Sequence, residues 1–232
     1  MNRSSFRPEE QLLLQCVHTR TELVQIDALR ELINSPLDWN YLLRIGRQHR
    51  LIPLLYWYLK NKFLEGVPVQ PLSAMRIEFR DNTLRNLSML HEIKSVTQIL
   101  AQAGIPAVPF KGVVLALQAY HHTALRVCRD IDLMVQHKDL DQATDILLQN
   151  GYYIHHEHSG AEHNPLFERF SHHLSLVNST NGLKLELHWR LLPTVVMDVT
   201  HFWRNANSTA LTGIETLQFA SEDLILLLLI HG

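Results

Sequence analysis

The run RVCRDIDLMVQ, residues 126–136, sets two aspartates one residue apart inside an otherwise apolar, β-prone segment. In a strand the side-chain period is two, so Asp130 and Asp132 share one face while Ile131 and Leu133 share the other. Two carboxylates roughly 5 to 7 Å apart repel each other, and either a divalent cation or a cationic side chain relieves them. Arg126 and Arg129 are the nearby cations, so metal site and salt bridge are rival readings. They differ in what Asp132→Asn should do to the metal-free protein: relieve repulsion in the first case, strand a charge in the second.

Outward from this strand the local signals agree. Upstream, IPAVPF (105–110) reads as a short strand, KG as a tight turn and VVLALQAYHH (113–122) as a helix. Downstream, DLDQATDILLQNGYY (139–153) reads as a helix with Asp139 as N-cap, Gln142 in the capping-box position and Gly151 just past the end. HHLSLVN (172–178) and LKLELHWRL (183–191) read as strands joined by STNG, whose Asn-Gly is a hairpin signal. In the second of these Glu186 and His188 share one face, opposite Leu185, Leu187 and Trp189. A third acid therefore sits mid-strand among apolar neighbours, and three such acids beside a glycine turn suit the binding of two magnesium ions.

Residues 1–103 read as a helical region. Asp38 caps WNYLLRIGRQHR, and Leu72, Met75, Phe79, Leu84, Leu87, Leu90, Ile93, Val96 and Leu100 trace the stripe of one long helix from Pro71 to about Ala103. Residues 104–220 form the α+β core, with HFWRNA a helical turn and GIETLQF a further strand. Residues 221–232 begin a C-terminal helical region whose apolar run, Leu224 to Ile230, would leave a hydrophobic face open to further helices, an oligomer or a partner.

Composition narrows the class. Apolar residues make up 46% and charged residues 19% of the 232, as in ordinary globular proteins, and the net charge of -2 gives no support for broad binding to nucleic-acid backbones. Cys16 and Cys128 have neither disulfide nor zinc spacing, and no segment reads as a signal peptide or membrane span, so the expected setting is the cytoplasm. His155, His156, His158 and His163 match no standard zinc motif and are expected on a mobile loop near the mouth of a site.

FKGVVLAL (110–117), RVCRDIDLMV (126–135), NGY (150–152) and LELHWRL (185–191), in this order and spacing, resemble the bacterial nucleotidyltransferases of the DNA polymerase beta superfamily, in particular a largely uncharacterised branch. The upstream DWNYLLRIGRQHRLIPLLYWYL (38–59) resembles the helical lead-in of that branch. The resemblance implies an α+β fold, a small mixed or antiparallel sheet backed by helices, and transfer of a nucleoside monophosphate from a triphosphate such as ATP to a hydroxyl acceptor, releasing pyrophosphate. It implies Mg2+, or Mn2+, held by Asp130, Asp132 and Glu186, with Glu186 also taking the acceptor's proton. Lys111, Gly112, Arg126 and His188 would bind the nucleotide phosphates. The usual superfamily turn is Gly-Gly or Gly-Ser; here Lys111 replaces the first glycine, which leaves room for a catalytically silent nucleotide-sensing or partner-binding module. The acceptor is a small molecule or protein side chain in preference to RNA.

Overall fold

The computed structural model describes residues 6–17, 26–62, 64–155, 171–190, 200–211 and 213–231. The histidine-rich stretch 156–170 lies outside the described residues, and so does the end of LKLELHWRL at Leu191. The chain divides into two compact units, Met1–Leu87 with Ala116–Cys128, and Ser88–Leu115 with Arg129–Gly232.

The first unit is helical: α1 (Pro8–Cys16), α2 (Ile26–Asn34), α3 (Trp39–Gln48), α4 (Ile52–Lys62) and the start of α5 (Val69–Gln102). Helix α3 begins where its cap predicts, with the Asp38 carboxylate accepting the Tyr41 N–H at 3.0 Å. Leu12, Leu29, Leu42, Leu55, Leu59 and Met75 close the core between these helices. Helix α5 has the expected length but not all of the expected face, since Leu84 and Leu87 are exposed. Asn82 and Asn86 are buried instead. Their side-chain amides donate to the backbone carbonyls of Ala124 and Arg126, and of Thr123 and Arg126, at 2.6 to 3.1 Å. A buried irregular segment has carbonyls that need donors, and two asparagines one helical turn apart supply them where leucines would not.

The second unit is built on a five-stranded mixed sheet in the order β1-β2-β5-β4-β3, comprising β1 (Ala107–Pro109), β2 (Asp130–Val135), β3 (Tyr152–Ile154), β4 (His173–Asn178) and β5 (Lys184–His188). Strands β2 and β5 run parallel, and every other pair is antiparallel. Helices α6 (Gly112–Tyr120) and α7 (Leu140–Gln149) follow β1 and β2. Alternation puts Ile131, Leu133, Val135, Leu185, Leu187 and Leu176 on one face of the sheet, where all are buried. The expected hairpin is β4–β5, its turn held by the Asn178 side chain accepting from the Thr180 N–H at 2.8 Å.

Helix α7 starts after Asp139, yet the Asp139 side chain forms no cap bond. A 3-10 turn over His137–Asp139 leads directly into the helix and leaves Asp139 with helical backbone angles, φ -99° and ψ -1°, so its carboxylate is not aimed back at the first turn. The helix ends as read, with Gly151 at φ +88°. Beyond the sheet, α8 (Thr200–Arg204) precedes a two-stranded ribbon, β6 (Asn207–Leu211) with β7 (Ile214–Gln218), and α9 (Ser221–His231). Leu224 and Leu227 of α9 pack with Val108, Phe110, Met134, Phe202 and Phe219, while Ile225, Leu226 and Leu229 are exposed.

Candidate active site

The second face of the sheet carries the chemistry, and register decides its composition. In the parallel pair, Asp130 lies opposite Lys184, Asp132 opposite Glu186 and Met134 opposite His188. Directly paired residues project to the same side, so three acids, one lysine and one histidine converge on adjacent strands. From the antiparallel neighbour β4, Ser175 and His173 lie opposite Glu186 and His188.

The side chains meet. His188, fully buried, places Nε2 3.3 Å from Asp132 Oδ1 and 3.6 Å from Glu186 Oε2. Lys184 Nζ is 3.0 Å from Glu186 Oε1, and His173 Nε2 is 3.9 Å from the same oxygen. Arg129 is exposed, and the Arg126 carbonyl accepts from the side-chain amides of Asn82 and Asn86. Lys184 and His188, which lie within the sheet itself, are cationic partners of the acids on this face.

This arrangement sets the acids apart electrostatically. Burial, then the neighbouring Asp132 and Glu186 charges, push the Asp130 pKa up, with Lys184 opposing. Glu186 goes the other way: His188, then Lys184 beside it, hold its carboxyl well below the usual range against the effect of burial. For His188 burial alone disfavours the imidazolium, but Asp132 and Glu186 outweigh burial and leave its pKa raised. Burial lowers that of His173 despite Glu186.

The turn after β1 lies against this cluster. The Phe110 N–H donates to the Asp132 carbonyl at 3.3 Å, which ties the turn to β2. The Lys111 carbonyl accepts the first N–H bonds of α6, from Val114 and Leu115, and its ammonium is 5.7 Å from the centre of the Phe110 ring. Gly112 has φ +55°, and a Cβ there would stand 3.3 Å from the Asp130 carbonyl oxygen. Gly112→Ala is therefore expected to cost about 1–2 kcal/mol, from left-handed strain and from pressing β2 away. A thermal melt showing no loss would place the strain elsewhere.

Asp132, Glu186 and His188 each offer one ligand atom within 4.8 Å of the others, a spacing suited to a shared cation. The crowding of Asp130 by its two acidic neighbours fits the same role, because a dication relieves the repulsion that lifts its pKa. Lys184 and His173 were not picked out from the sequence as site residues. The signal for Lys184 was present in the Lys184-Glu186-His188 alternation, whereas His173 joins only through the hairpin register.

Residues 35–232 match the model of a protein family described as an uncharacterised nucleotidyltransferase. The chain belongs to that family. The mixed α+β architecture, with a helical region ahead of a five-stranded sheet, is consistent with a nucleotidyltransferase fold, and the family places the chain among transferases. No curated protein matches the chain. Among the described residues no helix is long and apolar enough to cross a membrane.

Proposed function

We propose that this nucleotidyltransferase moves a nucleoside monophosphate from a triphosphate to a hydroxyl of a small molecule or protein, with release of pyrophosphate, at the acidic face of the β2–β5 pair. The observation that carries the reading is the register of Asp132 with Glu186, which brings the third acid to the Asp130–Asp132 pair beside a glycine turn that opens a helix.

Asp130, Asp132 and Glu186 would hold Mg2+ or Mn2+. When bound, the dication supplies charge neutralisation for the triphosphate and acidifies the acceptor hydroxyl. The remaining work falls to side chains and backbone. Gly112 lets the α6 N-terminus approach phosphate without a side chain in the way, and Lys111 adds a point charge for a phosphate oxygen. Glu186 orients the acceptor hydroxyl and takes its proton as the oxygen attacks the α-phosphate in line. Lys184 and His188 keep that carboxylate ionised and fixed in place before substrate arrives.

The experiment is an incubation of the purified chain with labelled nucleoside triphosphates, Mg2+ or Mn2+ and pools of hydroxyl-bearing small molecules and proteins, read by pyrophosphate release and by label transfer. Metal-dependent release that disappears in Asp130→Asn is the expected result. Failure to bind any triphosphate in either metal would overturn the proposal. Metal-dependent binding with no turnover across the acceptor pools would favour the silent sensing module.

A further inference from the structure

The end of the sheet beyond Glu186 carries a second set of donors. His173 is paired in register with His188, and His172 precedes it at the start of β4. His173 Nδ1 is 3.2 Å from His172 Nε2, and the His188 ring centre lies 5.1 Å from that of His173 and 5.7 Å from that of His172. One ligand nitrogen from each of the three lies within 4.8 Å of the others.

A tetrahedral ion held by imidazole at about 2.0–2.1 Å sets its donor atoms about 3.3 Å apart. The 3.2 Å between His172 and His173 is close to that edge. We propose that His172, His173 and His188 form a site for a transition-metal dication of the Zn2+ class, adjoining the carboxylate site and sharing His188 with it. Donor chemistry separates the two. Imidazole nitrogen is taken readily by Zn2+, Co2+ and Ni2+, whereas Mg2+ demands near-octahedral oxygen ligands.

Charge favours the same occupant. Glu186 Oε1 is 3.9 Å from His173 Nε2 and Asp132 Oδ1 is 3.3 Å from His188 Nε2, so two carboxylates border the three rings and, with Lys184 Nζ 3.0 Å from that Glu186 oxygen, still leave negative charge to offset part of a bound dication. Carboxylates placed just behind histidine ligands also orient the rings and raise their basicity as donors. A simple N–H···N contact would account for His172 and His173 alone; it does not account for the third imidazole converging on them from the next strand.

The inference does not depend on nucleotidyl transfer, and its test is made without nucleotide. The full chain, stripped with chelator and desalted, is titrated with Co2+ in millimolar Mg2+, and binding is followed by calorimetry and by the visible absorption of the cobalt ion. The expected result is one Co2+ per chain with the intense visible bands of a four-coordinate ion, displaced by Zn2+ and not by Mg2+. His172→Gln and His173→Gln should each weaken Co2+ binding by about 10-fold or more, with the fold checked by circular dichroism. Replacing His155, His156, His158 and His163 together with glutamine should leave it intact. Asp130→Asn should also retain Co2+, so that loss of transfer in that variant is distinguishable from loss of this site. Absence of Co2+ binding in Mg2+, binding indifferent to both His172→Gln and His173→Gln, or binding lost with the four other histidines would each overturn the proposal.

Discussion

Asp130→Asn is expected to stabilise the metal-free protein and Asp132→Asn to destabilise it, while each lowers nucleotidyl transfer by about 10³-fold or more, as when one preorganised electrostatic group is removed from a reacting centre. The signs follow from the neighbours. Burial costs the charge of Asp130 most, and the neighbouring Asp132 and Glu186 add repulsion, so the folded chain holds its proton more tightly than the unfolded chain does. The stability contributed by that proton is complete below the ordinary Asp value of 3.8 and is lost as pH rises through the higher folded value. At neutral pH the parent has lost it. An amide at position 130 never pays that loss, and after screening of this partly buried group the gain is about 1 kcal/mol or less.

Asp132 has the opposite role, and the sign of its substitution no longer separates metal from salt bridge as the sequence alone suggests, since a carboxylate that would hold metal is also the 3.3 Å partner of the fully buried His188. Removing one member of a buried ion pair leaves a charge stranded. An imidazole can be neutral where a lysine or arginine cannot, so the expected cost is about 2 kcal/mol or more, below the 3–5 of a pair that cannot titrate. Thermal melts in chelator at pH 7 separate the variants, and the Asp130→Asn advantage should vanish below about pH 3.8, where the parent carboxyl is protonated as well. Added Mg2+ should raise the melting temperature of the parent more than that of either variant. Equal stability of Asp132→Asn and the parent in chelator would remove His188 as the counter-ion.

What could be read in advance was local. The two-residue alternation of Asp130 and Asp132, the Asn-Gly between β4 and β5, the Asp38 cap and the glycine after α7 each act within a few residues, and each stands where the sequence places it. What could not be read was set by partners distant in sequence. Nothing in LKLELHWRL says that it pairs parallel to DIDLMV, yet that pairing selects Glu186 as the neighbour of Asp132 and His188 as its counter-ion. Lys184 and His188 stand beside these acids in space although they are distant in sequence, whereas Arg126 and Arg129 are their neighbours in sequence. The stripe of α5 failed for a related reason. Asn82 and Asn86 look like surface residues until the backbone they satisfy is known. Strand β6 carries no signal in the sequence, because NSTAL has no apolar alternation of its own and is a strand only through pairing with β7.

Glu92 is expected to be among the most destabilising single positions in the second unit, although a glutamate on a long helix reads as an ordinary solvated charge. It is buried at 5% exposure and accepts from three donors: the Tyr152 hydroxyl on β3, Asn178 Nδ2 at 2.7 Å and Asn181 Nδ2 at 2.9 Å. Burial, and then the bond to Glu92, push the Tyr152 pKa up, so that hydroxyl remains a donor across the physiological range. Glu92→Ala leaves all three donors short of an acceptor and should cost about 3–5 kcal/mol. Glu92→Gln, which keeps one acceptor but sets its own amide against those of the asparagines, should cost about 1–3 kcal/mol. The consequence reaches the site. The other ends of the same two asparagines organise the hairpin turn, since Asn178 Oδ1 accepts from Thr180 N–H and Asn181 Oδ1 from Leu183 N–H. That turn fixes the register of β4 on β5, and a slip of one residue would carry Glu186 and His188 to the apolar face. Hydrogen exchange at Thr180 and Leu183 should therefore accelerate in Glu92→Ala more than exchange in β2. Denaturant unfolding that shows a loss below about 1 kcal/mol, or turn amides as protected as in the parent, would mean that the hairpin holds its register without the helix.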